Sequence, residues 1–226
     1  EYAADDWKYT DGWPLSEAVK KRLYLAVNGT ISNDVSDDGA RTYTYNPRKP
    51  VATYGGRNMA IDPGPKDQRL AESHPDYGLV YRCDPLNTAM TIAGPVSVDL
   101  HVSSNCLDTD FIAKLIEEKE DGEATLLMDG VTRAMLRNGT DRVQHLKPGE
   151  IVKLTISLGH IYHTLEVASR LRVDVTSSNF PRRARNTNSG NLILAKDGDK
   201  DICVAQNTVH HGGGLPNVVN FCVLPT

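Results

Sequence analysis

The chain has 226 residues, enough for one large domain or two small ones without a metal or disulfide staple. Its 39% hydrophobic and 24% charged residues exclude a disordered chain, and a formal charge of −4 excludes the basic face of a general nucleic-acid binder. No apolar run approaches the ~18 residues of a membrane span, and no signal-peptide core is read.

A short helix is expected over 14–21, after Trp13, and a first strand over 22–27. A strand over 41–45 follows the turn formers Asp37-Asp38-Gly39. Residues 46–75 break the pattern: Pro47, Pro50, Pro63, Pro65 and Pro75 join the pair Gly55-Gly56. A loop of that length in a compact domain is functional, docked against something, or held by its own packing. Strands resume at 78–83. The clearest period-two alternation follows, with Val96, Val98, Leu100 and Val102 set against Ser97, Asp99, His101 and Ser103. Further strands are expected at 110–117, 124–128 and 132–136, with Asp121-Gly122 and Asp129-Gly130 as separators. Residues 151–158 alternate again. In 170–176, Leu171, Val173 and Val175 point inward and Arg172 and Asp174 outward. Asp197-Gly198 precedes strands at 201–207 and 218–224. Strands with one dry and one wet face belong to antiparallel sheets. Many short strands with few short helices give an all-β sandwich or barrel, mostly antiparallel.

The motifs of common chemistry are absent. No serine sits in G-x-S-x-G, and there is no H-E-x-x-H, P-loop or G-x-G-x-x-G. The pairs His160/His163 and His210-His211 lack a third ligand at diagnostic spacing, and neighbours on a strand point to opposite faces. No metal and no cofactor is therefore expected. Asp197-Gly198-Asp199-Lys200-Asp201 starts like a calcium loop, but Ile202 and Thr208 stand where glycine and glutamate are needed. It is read as a solvated turn. Asp108 and Asp110 lie on one side of a strand start, as an acid/base pair or, more simply, an aspartate turn. Arg182, Arg183 and Arg185 suit ion pairs with carboxylates better than nucleic acid. Cys83, Cys106, Cys203 and Cys222 contain no C-x-x-C pair, and buried free thiols and disulfides both stay open. The sequons at Asn28 and Asn138 both contain Asn-Gly and are read as turns.

Five strings are distinctive in this order: Trp13-Pro14 leading to Leu23-Tyr24-Leu25 and Asn28-Gly29; Tyr54-Gly55-Gly56 through Asp67-Gln68-Arg69; Asp108 through Leu115; Ser177-Ser178-Asn179-Phe180-Pro181-Arg182 with Arg185-Asn186-Thr187-Asn188-Ser189-Gly190; and Ala205 through His211. Together they resemble the C-terminal domain of X-prolyl dipeptidyl-peptidases, cocaine esterase and α-amino-acid ester hydrolases, over about residues 7–225. The resemblance implies a galactose-binding-like jelly-roll β-sandwich over 21–226. Residues 1–20 would lead in from an α/β-hydrolase domain that precedes it, which agrees with a chain starting at Glu1 rather than methionine. In such proteins the serine, acid and histidine lie in the hydrolase domain, so no catalytic residue is expected here. The partner is that hydrolase domain of the same polypeptide, and through it a peptide or ester substrate. A homo-oligomer stays open; no nucleic acid and no membrane is expected. Candidates for the domain interface or substrate wall are Asp108, Asp110, Phe111, Asn179, Phe180, Pro181 and Arg182; fixing the sandwich corners is their simpler role. Two departures stand out: 137–147 is a longer, more polar link than is usual, and Ser169-Arg170 stands where Gly-His is frequent. The alternatives are a carbohydrate- or ligand-binding module and an oligomerisation domain.

Overall fold

The computed structural model describes residues 9–59 and 61–225. Trp7 and the start of the 1–20 segment lie outside them. The described residues form two antiparallel sheets packed as a sandwich.

The first sheet is organised by one long strand. β5 (Met90–Ser104) pairs along one edge with β8 (Val152–Leu165), from Met90↔Leu165 to Val102↔Val152. Its other edge is shared. β11 (Asn217–Val223) takes the first part and β10 (Ala205–His211) the last three residues. β1 (Val19–Leu25) and β2 (Ile31–Ser32) extend the sheet beyond β11, and β3 (Gly39–Tyr45) extends it beyond β10. The second sheet has the order β4 (Leu79–Arg82), β9 (Arg170–Thr176), β6 (Asp110–Glu118), β7 (Ala124–Arg133).

The alternation read in the sequence builds the core. Val96, Val98, Leu100 and Val102 of β5 and Leu154, Ile156 and Leu158 of β8 face Phe111, Ala113 and Leu115 of β6 and Leu171, Val173 and Val175 of β9. Burying such aliphatic side chains contributes about 1.5–3 kcal/mol each relative to exposure.

Five expectations change, the first being the strand expected over 132–136: β7 runs through to Arg133 and 134–136 is a 3-10 turn. Residues 14–21 are not helical: one turn, with Ala18 N–H donating to Leu15 O at 3.0 Å, leads directly into β1. Sheet pairing prevails there, because 19–25 pairs residue for residue with 217–223. Asp129-Gly130 is not a turn but the middle of β7. The glycine is needed because β7 crosses close to β8. A Cβ at position 130 would lie 2.1 Å from the carbonyl oxygen of Ser157. β8 continues past 158 because a bulge between Val96 and Ser97 pairing shifts its phase, so Ile161, His163 and Leu165 turn inward after Leu154, Ile156 and Leu158. Near the C-terminal end, 199–201 is a 3-10 turn and β10 starts only at Ala205.

The excursion over 46–75 is docked on the domain itself. It contains the short helix α1 (Arg69–Glu72). Gln68 N–H donates to Ala124 O at 2.8 Å and Leu126 N–H to Lys66 O at 2.9 Å, which ties it to β7. It then lies over the outer face of the second sheet. β6 is consequently buried on both faces up to Glu117.

Candidate functional site

A polar knot closes the sandwich at the start of β6. Asp108 and Asp110 are buried, and Asn186 Nδ2 donates to both, at 2.8 and 2.9 Å. Met135 N–H donates to the other oxygen of Asp108 at 2.8 Å. Arg133 Nε and Nη2 donate to the two oxygens of Asp110 at 2.8 and 3.2 Å. Asn207 Nδ2 donates to Thr109 and Ser177 at 3.3 and 2.9 Å, Ser177 and Tyr43 share a 2.7 Å hydrogen bond, and Tyr45 OH donates to Asn186 O at 3.0 Å. Strings far apart in sequence thus meet at one point. Burial pushes the Asp108 carboxyl up from its ordinary value, and Asp110 pushes it further against the Asn186 and Met135 hydrogen bonds. Every oxygen of the two carboxylates is engaged by a donor of the protein, which suits a fixed scaffold. Phe111, on the opposite face, fills the main core.

Beside the knot stands an apolar tip. Asn179 is buried and donates to Asp129 Oδ2 at 3.2 Å, while Arg182 pairs with Asp129 Oδ1. Between them, Phe180 is 43% exposed and Pro181 is also exposed. The base of the tip is tied to the excursion: Phe180 N–H donates to Val51 O at 3.0 Å and Thr53 N–H to Phe180 O at 2.7 Å. Gly56 lies against the guanidinium of Arg182, where a Cβ would come within 2.8 Å of Nη1. An open groove of about 470 Å³ borders the knot, lined among others by Asp110, Val131, Arg133, Arg137 and Arg183. Arg183 Nε is buried there without a hydrogen-bond partner.

The seven sequence candidates therefore divide. Asp108, Asp110, Phe111 and Asn179 are buried, Arg182 is partly buried in an ion pair, and Phe180 and Pro181 face solvent. Of the arginine run, Arg182 meets a carboxylate and Arg185 Nη1 donates to Pro47 O at 3.4 Å.

Sequence reasoning missed a layer of charge beneath the excursion. Arg82, Lys114, Arg172 and Arg182 face Glu72, Glu118, Asp129 and Asp174. Arg172 donates twice to Asp174, at 2.7 and 2.8 Å, and once each to Glu118 and Glu72, at 2.8 and 2.9 Å. Tyr77 OH donates to Asp174 at 2.6 Å, and Lys114 Nζ to Gln68 Oε1 at 3.0 Å. Burial pushes the Lys114 ammonium down to about 8, although Asp174 and Asp129 pull it upward. Arg172 and Asp174 do point outward, as the alternation requires, but the face they occupy is covered. The signal was the excursion itself: a proline-rich segment long enough to roof a sheet face.

The histidines serve the strands. His163 Nε2 meets Glu117 at 2.8 Å, His160 Nδ1 accepts from Trp13 Nε1 at 2.7 Å, and His210 and His211 point apart, to Ser103 and Tyr81. Asp197 accepts from Thr187, Ser189 and Asn191, so its carboxylate is spent within its own loop.

Comparison with known proteins places this architecture. Residues 2–220 match the family model of the X-Pro dipeptidyl-peptidase C-terminal non-catalytic domain. A cocaine esterase from Rhodococcus sp. (strain MB1 Bresler) is 35% identical over 233 residues, covering 98% of this chain and 40% of the relative. The fold is shared with an aminopeptidase from the marine sediment archaeon Thaumarchaeota archaeon, at TM-score 0.88 and 24% identity, over 100% of this chain and 40% of that one. It is also shared with an α-amino acid ester hydrolase, at TM-score 0.81 and 24% identity, over 90% of this chain and 36% of that one. The chain spans less than half the length of each of these relatives. On the family match and the 35% identity, the chain belongs to the X-Pro dipeptidyl-peptidase C-terminal non-catalytic domain family.

Proposed function

We propose that this domain packs against an α/β-hydrolase domain of the same polypeptide and walls the site where that domain cleaves an acyl ester or X-Pro peptide bond. The observation that carries the reading is the apolar tip. Phe180 and Pro181 are exposed, yet their neighbours Asn179 and Arg182 are fixed on a buried aspartate. An exposed aromatic on a rigid base docks with little loss of conformational freedom. Asp108, Asp110, Phe111 and Asn179 act as the scaffold, and Phe180, Pro181 and Arg182 as the contact. The coverage of about 40% of the cocaine esterase relative leaves room for a catalytic domain, and the missing G-x-S-x-G agrees with a nucleophile held elsewhere.

The test compares this chain with the longer polypeptide on a chromogenic acyl ester and an X-Pro amide. Turnover is expected only with the hydrolase domain present. Phe180→Ala is expected to weaken association of separately produced domains about tenfold or more, the scale of an aromatic hot spot. Turnover by this chain alone would overturn the reading.

A further inference from the structure

Two thiols meet beside the polar knot. Cys106 lies in the link between β5 and β6, and Cys203 just before β10. They are 97 positions apart in sequence, yet their sulfurs are 2.7 Å apart. The backbone brings them together. Asn207 of β10 pairs with Ser104 of β5, and the side chain of Asn105 continues the ladder. Its Oδ1 accepts from Gln206 N–H at 2.7 Å and its Nδ2 donates to Val204 O at 3.3 Å. Cys203 is held from the other side as well. Its N–H donates to Thr187 O at 2.9 Å, and its carbonyl accepts from Asn188 Nδ2 at 2.7 Å. The two thiols pack with Tyr45 and Ala205 in a small apolar cluster separate from the main core. Cys106 is buried and Cys203 is partly exposed. The other two cysteines have different surroundings: Cys83 packs on the main core, and Cys222 lies beneath Gly94 of β5.

We propose that Cys106 and Cys203 are a reversible disulfide pair, formed with a small-molecule disulfide such as oxidised glutathione as the oxidant. Exposure sets the order of events. The Cys203 thiolate attacks one glutathione sulfur and expels a first glutathione thiolate. The Cys106 thiolate then attacks the Cys203 sulfur of this mixed disulfide and expels the second. The two cysteines lose two electrons and two protons, and two molecules of reduced glutathione carry them away. Burial, which persists in the mixed disulfide, holds the Cys106 thiol above its ordinary value, so the second step is slow at neutral pH and accelerates as pH rises.

The bond would close a loop containing β6, β7, β8 and β9. A closure of that size restricts the unfolded chain strongly, and for a domain of this length the melting temperature is expected to rise on the order of 10 °C.

The experiment equilibrates the 226-residue chain in oxidised glutathione, quenches it in acid, counts free thiols after unfolding and maps peptides without reduction. The count is expected to fall from four to two, with one linked pair of peptides carrying Cys106 and Cys203. Dithiothreitol is expected to reverse both the link and the rise in melting temperature. Cys106→Ser and Cys203→Ser are each expected to abolish the rise, and Cys83→Ser to keep it. Four thiols persisting at equilibrium would overturn the proposal. So would glutathione adducts that never resolve, or a link that involves Cys83 or Cys222.

Discussion

Replacing Arg172 with methionine tests what the charged layer contributes. Arg172 is 1% exposed and makes four donations to three carboxylates. Methionine keeps much of the apolar stem and none of the donors. Hydrogen bonds to charged groups are worth about 1.5–3 kcal/mol each, so a plain sum gives about 6–12 kcal/mol. That sum overshoots, because two of the carboxylates keep a cation. Glu118 retains Arg82 Nε at 2.8 and 2.9 Å. Glu72 retains Arg82 Nη2 at 3.3 Å and is 33% exposed, so water reaches it. Asp174 is different. It is fully buried and keeps only Tyr77 OH among these donors. Removing one partner of a buried pair costs about 3–5 kcal/mol. Lys114 softens the loss, since Arg172 opposes its charge and Asp174 favours it. The expected cost is therefore near the lower bound, about 3 kcal/mol.

Urea unfolding of both proteins measures this. The midpoint is expected to fall with little change in slope, because the surface exposed on unfolding is nearly the same. The melting temperature is expected to drop by about 6–12 °C for a domain of this size. A second variant, Arg172→Met with Asp174→Asn, removes the stranded charge and keeps an acceptor for Tyr77. It is expected to recover about half of the loss. A single variant costing under about 1 kcal/mol, or a double variant as unstable as the single one, would refute the reasoning.

Two further outcomes follow from the same sheet. Gly130→Ala drives a Cβ into the Ser157 carbonyl and is expected to cost about 2–3 kcal/mol by thermal unfolding; a neutral result would mean that β7 and β8 separate freely. Lys114 releases its proton near pH 8 when folded and near 10.5 when unfolded, so between these the unfolded chain holds the extra proton and raising pH favours the fold. Relative to Lys114→Met, the wild type is expected to gain up to about 3 kcal/mol between pH 7 and 10.5, read from urea midpoints at stepped pH; parallel curves would contradict a buried, charged Lys114.

How much of this was legible depended on whether a local pattern carried the information. The alternation from Val96 to Val102 and from Leu171 to Val175 announces a two-faced strand, and both strands fall there. The all-β sandwich follows from such segments. Asp129-Gly130 misleads because the glycine that favours a turn is also what lets β7 pass close to β8. Only the close approach of two distant strands decides between these uses, and periodicity does not report it. The 151–158 strand reads short because a bulge changes the phase of the alternation without ending the strand. The charged layer is invisible for a third reason. Polar residues on a strand's outer face look solvated unless the segment that covers them is known, and 46–75 has no period that announces a roof.

The same logic separates stability from contact within the candidate site. Asp108 and Asp110, Arg133, and Asn186 bring three parts of the chain to one point, and each buried polar atom that loses its partner there costs about 1–3 kcal/mol. Such residues are held in place by the fold whether or not anything docks beside them. Phe180 is held by no such requirement. It leaves 43% of its surface in water, in a chain with only three phenylalanines, while Val51, Thr53, Asn179 and Arg182 fix the backbone on either side of it. A side chain kept only for the sandwich would gain by burial, at about 25 cal/mol per Å². The fold instead commits one buried aspartate, Asp129, to both flanks of the ring and leaves the ring outward. On the proposed reading that arrangement is preorganisation, so the tip is expected to keep its conformation when the hydrolase domain is bound.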